Sequence, residues 1–454
     1  LDDQLKSHLK GNYNSYIKQL ENAGKSHEDI SLDIENLSTN VMSKFNSHAK
    51  EMTQYIEEYT KESIDYLKNT DIKKRKKLGQ YFTPKSIREL LLSKLPKKDN
   101  ADILDPACGS GEFLLSCKKY FKNPILYGFD IDKKLINISS KLVKNAIIKN
   151  FDFLNIDINK KKYDYIIGNP PYFELKLNEE IKKKYFDIIK GRVNIFSLFI
   201  KTGLDLLKDG GYLAYVVPPS MNNGAYFSKL REYIIKNSSL EYLHIIDGAD
   251  NFHLANQKVM LIILKKTNSK KSSKYIFKKN GITIFTEDKK FLNKAYKNTV
   301  SLKDIGYTVK TGSIIWNEHK EKLTNDKNNS TLLIWASNIN NGKIIIGYTK
   351  GKPQYIKNIS SDLIIKSRVV VVNRITGSSK DINIKAAIVN EKEFVCENHV
   401  NVIYMSKNAN QNYSLEDIFK ALQDKTNIKV MRLISGNTQI SKTELERLLP
   451  IIKK

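Results

Sequence analysis

The chain has 454 residues, with 76 Lys and Arg against 49 Asp and Glu, a formal net charge of +27. A 41% hydrophobic content with 24 tyrosines and 18 phenylalanines excludes global disorder, and the length calls for two or three domains. The charge excess points to a polyanion, either nucleic acid or an anionic membrane surface, the alternative being a Lys/Asn/Ile-rich proteome that simply favours lysine.

No apolar run approaches the roughly 20 residues that span a bilayer, so no membrane partner is expected. The opening LDDQLKSHLK lacks an apolar signal core, which predicts a cytoplasmic protein, and it lacks an initiator Met, as if the true start lay upstream. Cys108, Cys117 and Cys396 form no disulfide framework, and their spacing relative to the histidines predicts no metal site.

From Ile30 to about Leu67 the apolar positions Ile34, Leu37, Val41, Phe45, Met52, Ile56 and Tyr59 share one helical face. No glycine or proline interrupts them, so one amphipathic helix is expected in an N-terminal helical region of residues 1–75. The basic run from Lys73 to Lys77 marks a boundary. Across 76–270, short apolar strands (ADILDPACGSGEF, NPILYGFDID, YDYIIGNPPY, GGYLAYVVPPS) alternate with helical stretches. That alternation predicts an α/β fold, a mostly parallel sheet with helices on its faces and ligands beyond the strands' carboxyl ends. Residues 271–454 hold isolated β-like runs (TLLIWA, GKIIIGY, SRVVVVNRI, HVNVIYM) and closing helices near Leu415 and Thr443, a separate mixed α/β domain. Trp316 and Trp335 are expected in its core.

The turn LDPACGSGEF follows a strand and opens a helix, so glycines and free N–H groups can approach a ligand. Nucleotide sites and plain structural turns share such glycines. Asp105 would repel a phosphate and suits an ammonium group instead. Asp130 ends the next strand, where a carboxylate accepts from ribose hydroxyls, and Asp132 is placed to cap a helix. The two turns imply an adenosyl ligand without pyrophosphate, a description that S-adenosylmethionine meets. In Asn169-Pro170-Pro171-Tyr172, an amide oxygen and a proline carbonyl of pre-set direction could flank a conjugated exocyclic amine, with an aromatic ring to stack on its base.

The blocks GQYFTP (79–84), DPACGSGEF (105–113), GFDID (128–132), DFL (152–154) and NPPY (169–172) occur in that order. The chain resembles, over about residues 78–265, the gamma class of N6-adenine DNA methyltransferases from bacterial type II restriction–modification systems. The resemblance implies a Rossmann-like S-adenosylmethionine-dependent sheet, followed by a C-terminal target-recognition domain. It implies cofactor contacts from Tyr81, Phe82 and Thr83, from Asp105, Pro106, Ala107 and Gly109, from Asp130 and Ile131, and from Asp152 and Phe153. Asn169, Pro170, Pro171 and Tyr172 would hold the target adenine, with Phe252 as a second aromatic against it.

An adenine inside a duplex cannot reach such a pocket and would be flipped out, and the +27 charge would hold the phosphates. Arg374 and Lys380, in RITGSSKD, are candidate DNA contacts, Arg374 as a guanine reader. The expected partners are double-stranded DNA and a separate cognate endonuclease, with a monomer acting on DNA. An RNA base or a protein glutamine amide would suit the same tetrapeptide. An inactive DNA-binding relative is a further alternative.

Overall fold

The computed structural model describes residues 58–71, 73, 75, 79–222, 224–246, 258–269, 273–347, 351–374, 384–434 and 439–454. The chain divides into two compact units, one of residues 1–69 with 84–86, the other of 70–83 with 87–454.

In the first unit, helix α1 (Lys61–Asn69) buries Ile64, Tyr66 and Leu67. The helix expected without interruption to Leu67 is broken at Tyr59 and Thr60. Thr60 starts a new one: its Oγ1 accepts from the Ser63 N–H at 3.4 Å, and its carbonyl accepts from Ile64 N at 3.0 Å. Apolar spacing does not register such a cap. The remainder of that expected helix, residues 30–57, lies outside the described residues.

Most of helix α2 (Lys85–Ser93) belongs to the second unit, which then builds nine strands: β1 (Asp102–Asp105), β2 (Ile125–Asp130), β3 (Ile147–Asn150), β4 (Tyr163–Gly168), β5 (Glu174–Leu175), β6 (Val193–Asn194), β7 (Leu207–Val217), β8 (Ser238–Ile246) and β9 (Val259–Lys266). Seven form one sheet in the order β3-β2-β1-β4-β7-β9-β8, while β5 and β6 make a separate two-stranded ribbon. All neighbours are parallel from β3 to β7, and β9 alone runs against both of its neighbours. Helices α3 (Glu112–Tyr120), α4 (Lys133–Leu142), α5 (Glu179–Lys184), α6 (Ile195–Leu206) and α7 (Ser228–Asn237) fill the connections. The one reversed strand is thus inserted next to the edge, between β7 and β8.

Both faces of the sheet are covered, so its central strands are apolar without alternation. Along β9, Met260, Ile262 and Leu264 join the core on one face and Val259, Leu261 and Ile263 the core on the other. The strand order runs outward from β1 in one direction and from β4 in the other. The switch point therefore lies between them, and ligands bind at their carboxyl ends. Those ends carry Asp105 and Asn169.

Beyond 270, an antiparallel sheet joins 307–311, 400–405, 369–373 and 386–389 in that spatial order. A second sheet pairs 331–334 in parallel with 394–396. Helices 415–423 and 442–448 stand where closing helices were expected. Trp335 is buried and Trp316 packs partly buried beside it. GKIIIGY departs from the strand reading. Among its described residues, Lys343–Ile344 pairs with 339–340 and Gly342 forms a single bridge to Ala387, while Ile345 and Ile346 stand exposed. Asn341 and Gly342 both adopt positive φ and turn the chain back after two residues. Among the described residues, no helix is long and apolar enough to cross a membrane.

Candidate active site

β1 delivers Asp105 to the switch point almost completely buried, at 2% exposure. Its Oδ1 accepts from the Ala107 N–H at 3.1 Å. Burial pushes its carboxyl up to about 8, with the neighbouring Asp130 charge adding to the rise and the Ala107 N–H opposing it. Such a carboxyl is well placed to take a cation. Asp130, at the end of β2, also titrates high through burial, and it organises the loop beside it. Its Oδ2 accepts from Gly109 N at 2.9 Å and its Oδ1 from Asp132 N at 2.8 Å. Asp132 caps α4, accepting from Lys134 N, as its position suggested. Asp152 caps the short turn 153–155 through Leu154 N, and Phe153 packs on Phe199 with ring centroids 5.0 Å apart.

Asn169 follows β4, and its side-chain amide is held at both ends. Nδ2 donates to the Tyr81 carbonyl at 2.9 Å and to Thr83 Oγ1 at 3.0 Å. The Tyr172 hydroxyl donates to Asn169 Oδ1, and it also lies 2.7 Å from the Val216 carbonyl on β7. Burial raises the Tyr172 phenol well above its ordinary range, so it stays protonated. GQYFTP and NPPY, 86 to 88 residues apart along these bonds, are thus one unit.

Two glycines make that assembly possible. A Cβ on Gly168 would lie 2.5 Å from Asp105 Oδ1, so the last residue of β4 must be bare for the carboxylate to lean across it. A Cβ on Gly79, whose φ is +62°, would lie 2.7 Å from the Tyr172 backbone nitrogen.

The site has a support that the sequence reading missed. Arg88 on α2 pairs with Glu112 at 2.9 Å, and both side chains are buried. Arg88 also donates to the Thr83 carbonyl at 2.5 Å and to Ser116 Oγ at 3.0 Å, which ties the YFTP segment to α3. The signal was present. Arg88 lies on the same buried face of α2 as Ile87, Leu91 and Leu92, where a charge requires a partner.

A cavity of about 480 Å³, within the range of small-molecule sites, opens at the two strand ends. Tyr81, Phe82, Thr83, Asp105, Pro106, Ala107, Gly109, Asp130, Ile131, Asp152, Phe153, Asn169 and Pro171 line it together. Pro170 is buried, and neither it nor Tyr172 is among the lining residues. Glu112, Lys184, Tyr185 and Phe199 are lining residues that were not anticipated. Arg374 lies at the end of strand 369–373, its Nη1 3.3 Å from the Asn398 carbonyl, and is not at the cavity. Phe252 and Lys380 lie outside the described residues. No cluster of His, Cys, Asp and Glu able to hold a metal occurs among the described residues.

Residues 34–252, just under half of the chain, match the family model described as the Eco57I restriction-modification methylase. The chain carries a restriction-modification methylase domain. The methylase is 27% identical over 382 residues to the type II methyltransferase M.CvrRI of Paramecium bursaria Chlorella virus XZ-6E, covering 84% of this chain and 96% of that one. With the type II methyltransferase M.BsuBI of Bacillus subtilis it shares 23% identity, covering 87% and 91%. With the modification methylase CviBIII of Paramecium bursaria Chlorella virus NC1A it shares 32% over 229 residues, covering 49% and 58%. The cofactor of this fold and family is S-adenosylmethionine. The cavity fits it: a buried carboxylate for an ammonium, an acidic residue at the second strand end, and an apolar wall that includes Ile131, which remains 63% exposed.

Proposed function

We infer that the methylase transfers a methyl group to N6 of an adenine flipped out of a short duplex DNA sequence, protecting DNA from a cognate endonuclease. The observation that carries this reading is the pinned amide of Asn169 beside the cavity that Asp105 also lines. The coverage of the type II methyltransferases by most of this chain supports it further.

Asp105 would receive the cofactor's ammonium, Asp130 its ribose hydroxyls, and Asp152 with Phe153 and Ile131 its adenine. S-adenosylmethionine supplies an electrophilic methyl group on a sulfonium. Asn169 Oδ1 has two lone pairs, one taken by Tyr172, and the other is free to accept from the adenine NH2. Because Tyr81, Thr83 and Tyr172 fix the amide beforehand, no reorganisation is needed as positive charge develops on N6. The Pro170 carbonyl would accept the second N6 hydrogen, and both acceptors turn the nitrogen lone pair toward the methyl group. The proton then leaves the methylated amine for water. Residues 271–454 form the target-recognition part, with Arg374 among the candidates to touch DNA, and one chain suffices for each methylation.

The test is methyl transfer from labelled S-adenosylmethionine to duplex DNA, with single-molecule sequencing of the product. N6-methyladenine at one short motif is the expected result. Label on RNA or on protein glutamine, with none on DNA, would overturn the reading.

A further inference from the structure

The ribbon strands β5 and β6 enclose an excursion that rims the cavity. Its helix α5 and Tyr185 contribute to the cavity wall, while the next residue, Phe186, stands 71% exposed. A partner that covered this ring would gain hydrophobic free energy from its burial. Its base is anchored. Tyr185 on one side is 2% exposed with its hydroxyl 2.9 Å from Thr202 Oγ1, and Ile188 on the other side is 3% exposed. Lys229 holds the Phe186 carbonyl at 3.2 Å. Tyr226, itself 52% exposed, packs so closely on Gly191 that a Cβ there would lie 2.9 Å from the ring. From Phe227 an aromatic path runs inward to Phe196 (5.3 Å) and on to Tyr172 (6.3 Å), so this rim adjoins the tetrapeptide. Around Phe186 the exposed side chains are mainly cationic, including Lys183, Lys190 and Lys229. Arg192 sits 3.7 Å from Glu174 and Lys182 pairs with Glu179.

An exposed ring on a rigid base, flanked by cations and next to the pocket that would receive an extruded base, suits a duplex. We propose that Phe186 is a wedge that enters the base stack beside the flipped adenine while the neighbouring lysines hold phosphates. The inference rests on the adenine-methylation reading above. Apolar wedges of this kind lower the cost of unstacking by occupying the space that opens. Phe186 touches neither cofactor nor the reacting atoms, so its effect belongs to the flipping step.

Once sequencing has located the target, single-turnover methylation is compared on two duplexes, one fully paired and one with an abasic position opposite the adenine. Phe186→Ala should slow the paired duplex by about tenfold and the abasic duplex by no more than about twofold, because there the adenine is already unpaired. Phe186→Trp, which keeps a wedge, should stay near wild type on both. With 2-aminopurine at the target, the fluorescence rise on binding should shrink in Phe186→Ala. Equal rates for wild type and Phe186→Ala on the paired duplex would overturn the wedge. So would equal losses on both duplexes, the signature of a plain DNA contact. A protein dimer that Phe186→Ala dissolves would assign the ring to a second copy of the chain and overturn it too. If the wild-type protein labels no DNA, the underlying reading fails and the wedge with it, whereas failure of the wedge alone leaves wild-type labelling intact.

Discussion

The carboxyl ends of β1 and β4 are neighbours in one sheet, yet they are finished in opposite ways. β1 ends in a buried carboxyl with a single backbone donor, Ala107 N–H, and burial disfavours its charged form until a cation balances it. β4 ends in a neutral amide whose donor side is saturated by Tyr81 and Thr83 and whose acceptor side keeps a lone pair. The first suits a permanent cation. The second suits a neutral amine that becomes cationic only as it reacts. On the function proposed above, dividing the labour this way would keep the charge that faces the cofactor away from the acceptor that faces the substrate.

The sharpest way to separate the two ends is Asn169→Ala. Cofactor affinity should be nearly unchanged while single-turnover methyl transfer falls by about 10³-fold, the scale for losing one preorganised polar contact in a transition state. Equal loss of cofactor binding, read by calorimetry, would make Asn169 a structural residue. The Asp105 end should respond to pH instead. Because burial raises its carboxyl from 3.8 to about 8, its contribution to the stability of the cofactor-free fold is complete below 3.8 and is lost as pH rises through about 8. Cofactor affinity has the opposite sign: it should weaken by up to about tenfold per pH unit below 8, as the carboxylate takes a proton. Asp105→Asn should flatten that profile, and a wild-type profile that is already flat between pH 6 and 8 would remove the cation role.

Gly168→Ala tests whether the ends are mechanically joined. Its methyl group meets the Asp105 carboxylate, so unfolding stability should drop by about 2 kcal/mol, together with cofactor affinity. Thermal melting with and without cofactor reads both. Tyr172→Phe keeps the ring and removes the hydroxyl that steadies Asn169. We expect about a tenfold fall in methyl transfer, on the scale of one hydrogen bond, with little change in DNA affinity. An unchanged rate would mean that Tyr81 and Thr83 suffice.

The site was legible in the sequence to the extent that its parts are local. A strand followed by a Gly-rich turn, an acidic residue ending the next strand and a proline pair after an apolar run each announce themselves within a dozen residues. The structure brings most of these candidates to one cavity. What could not be read are the contacts that join distant blocks. The Arg88–Glu112 pair links helices through buried charge, and the Asn169 bonds to Tyr81 and Thr83 depend on tertiary placement. The bare face of Gly168 acquires meaning only from the carboxylate across from it. Errors of extent had local causes: a threonine cap at Thr60, and an Asn-Gly turn whose hairpin pairs only through Ile344.

The reversed strand β9 also has a consequence for synthesis. β7 and β8 emerge from the ribosome before it, yet in the finished sheet β9 lies between them and pairs with both. Until Val259–Lys266 has been made, neither β7 nor β8 has its partner on that side, and two strands with apolar faces present open ladders. The sheet therefore closes only with the late arrival of its most apolar strand. A nascent chain stalled before Val259 would be a natural client for chaperones, and a gene fragment ending there would yield aggregates rather than a smaller enzyme.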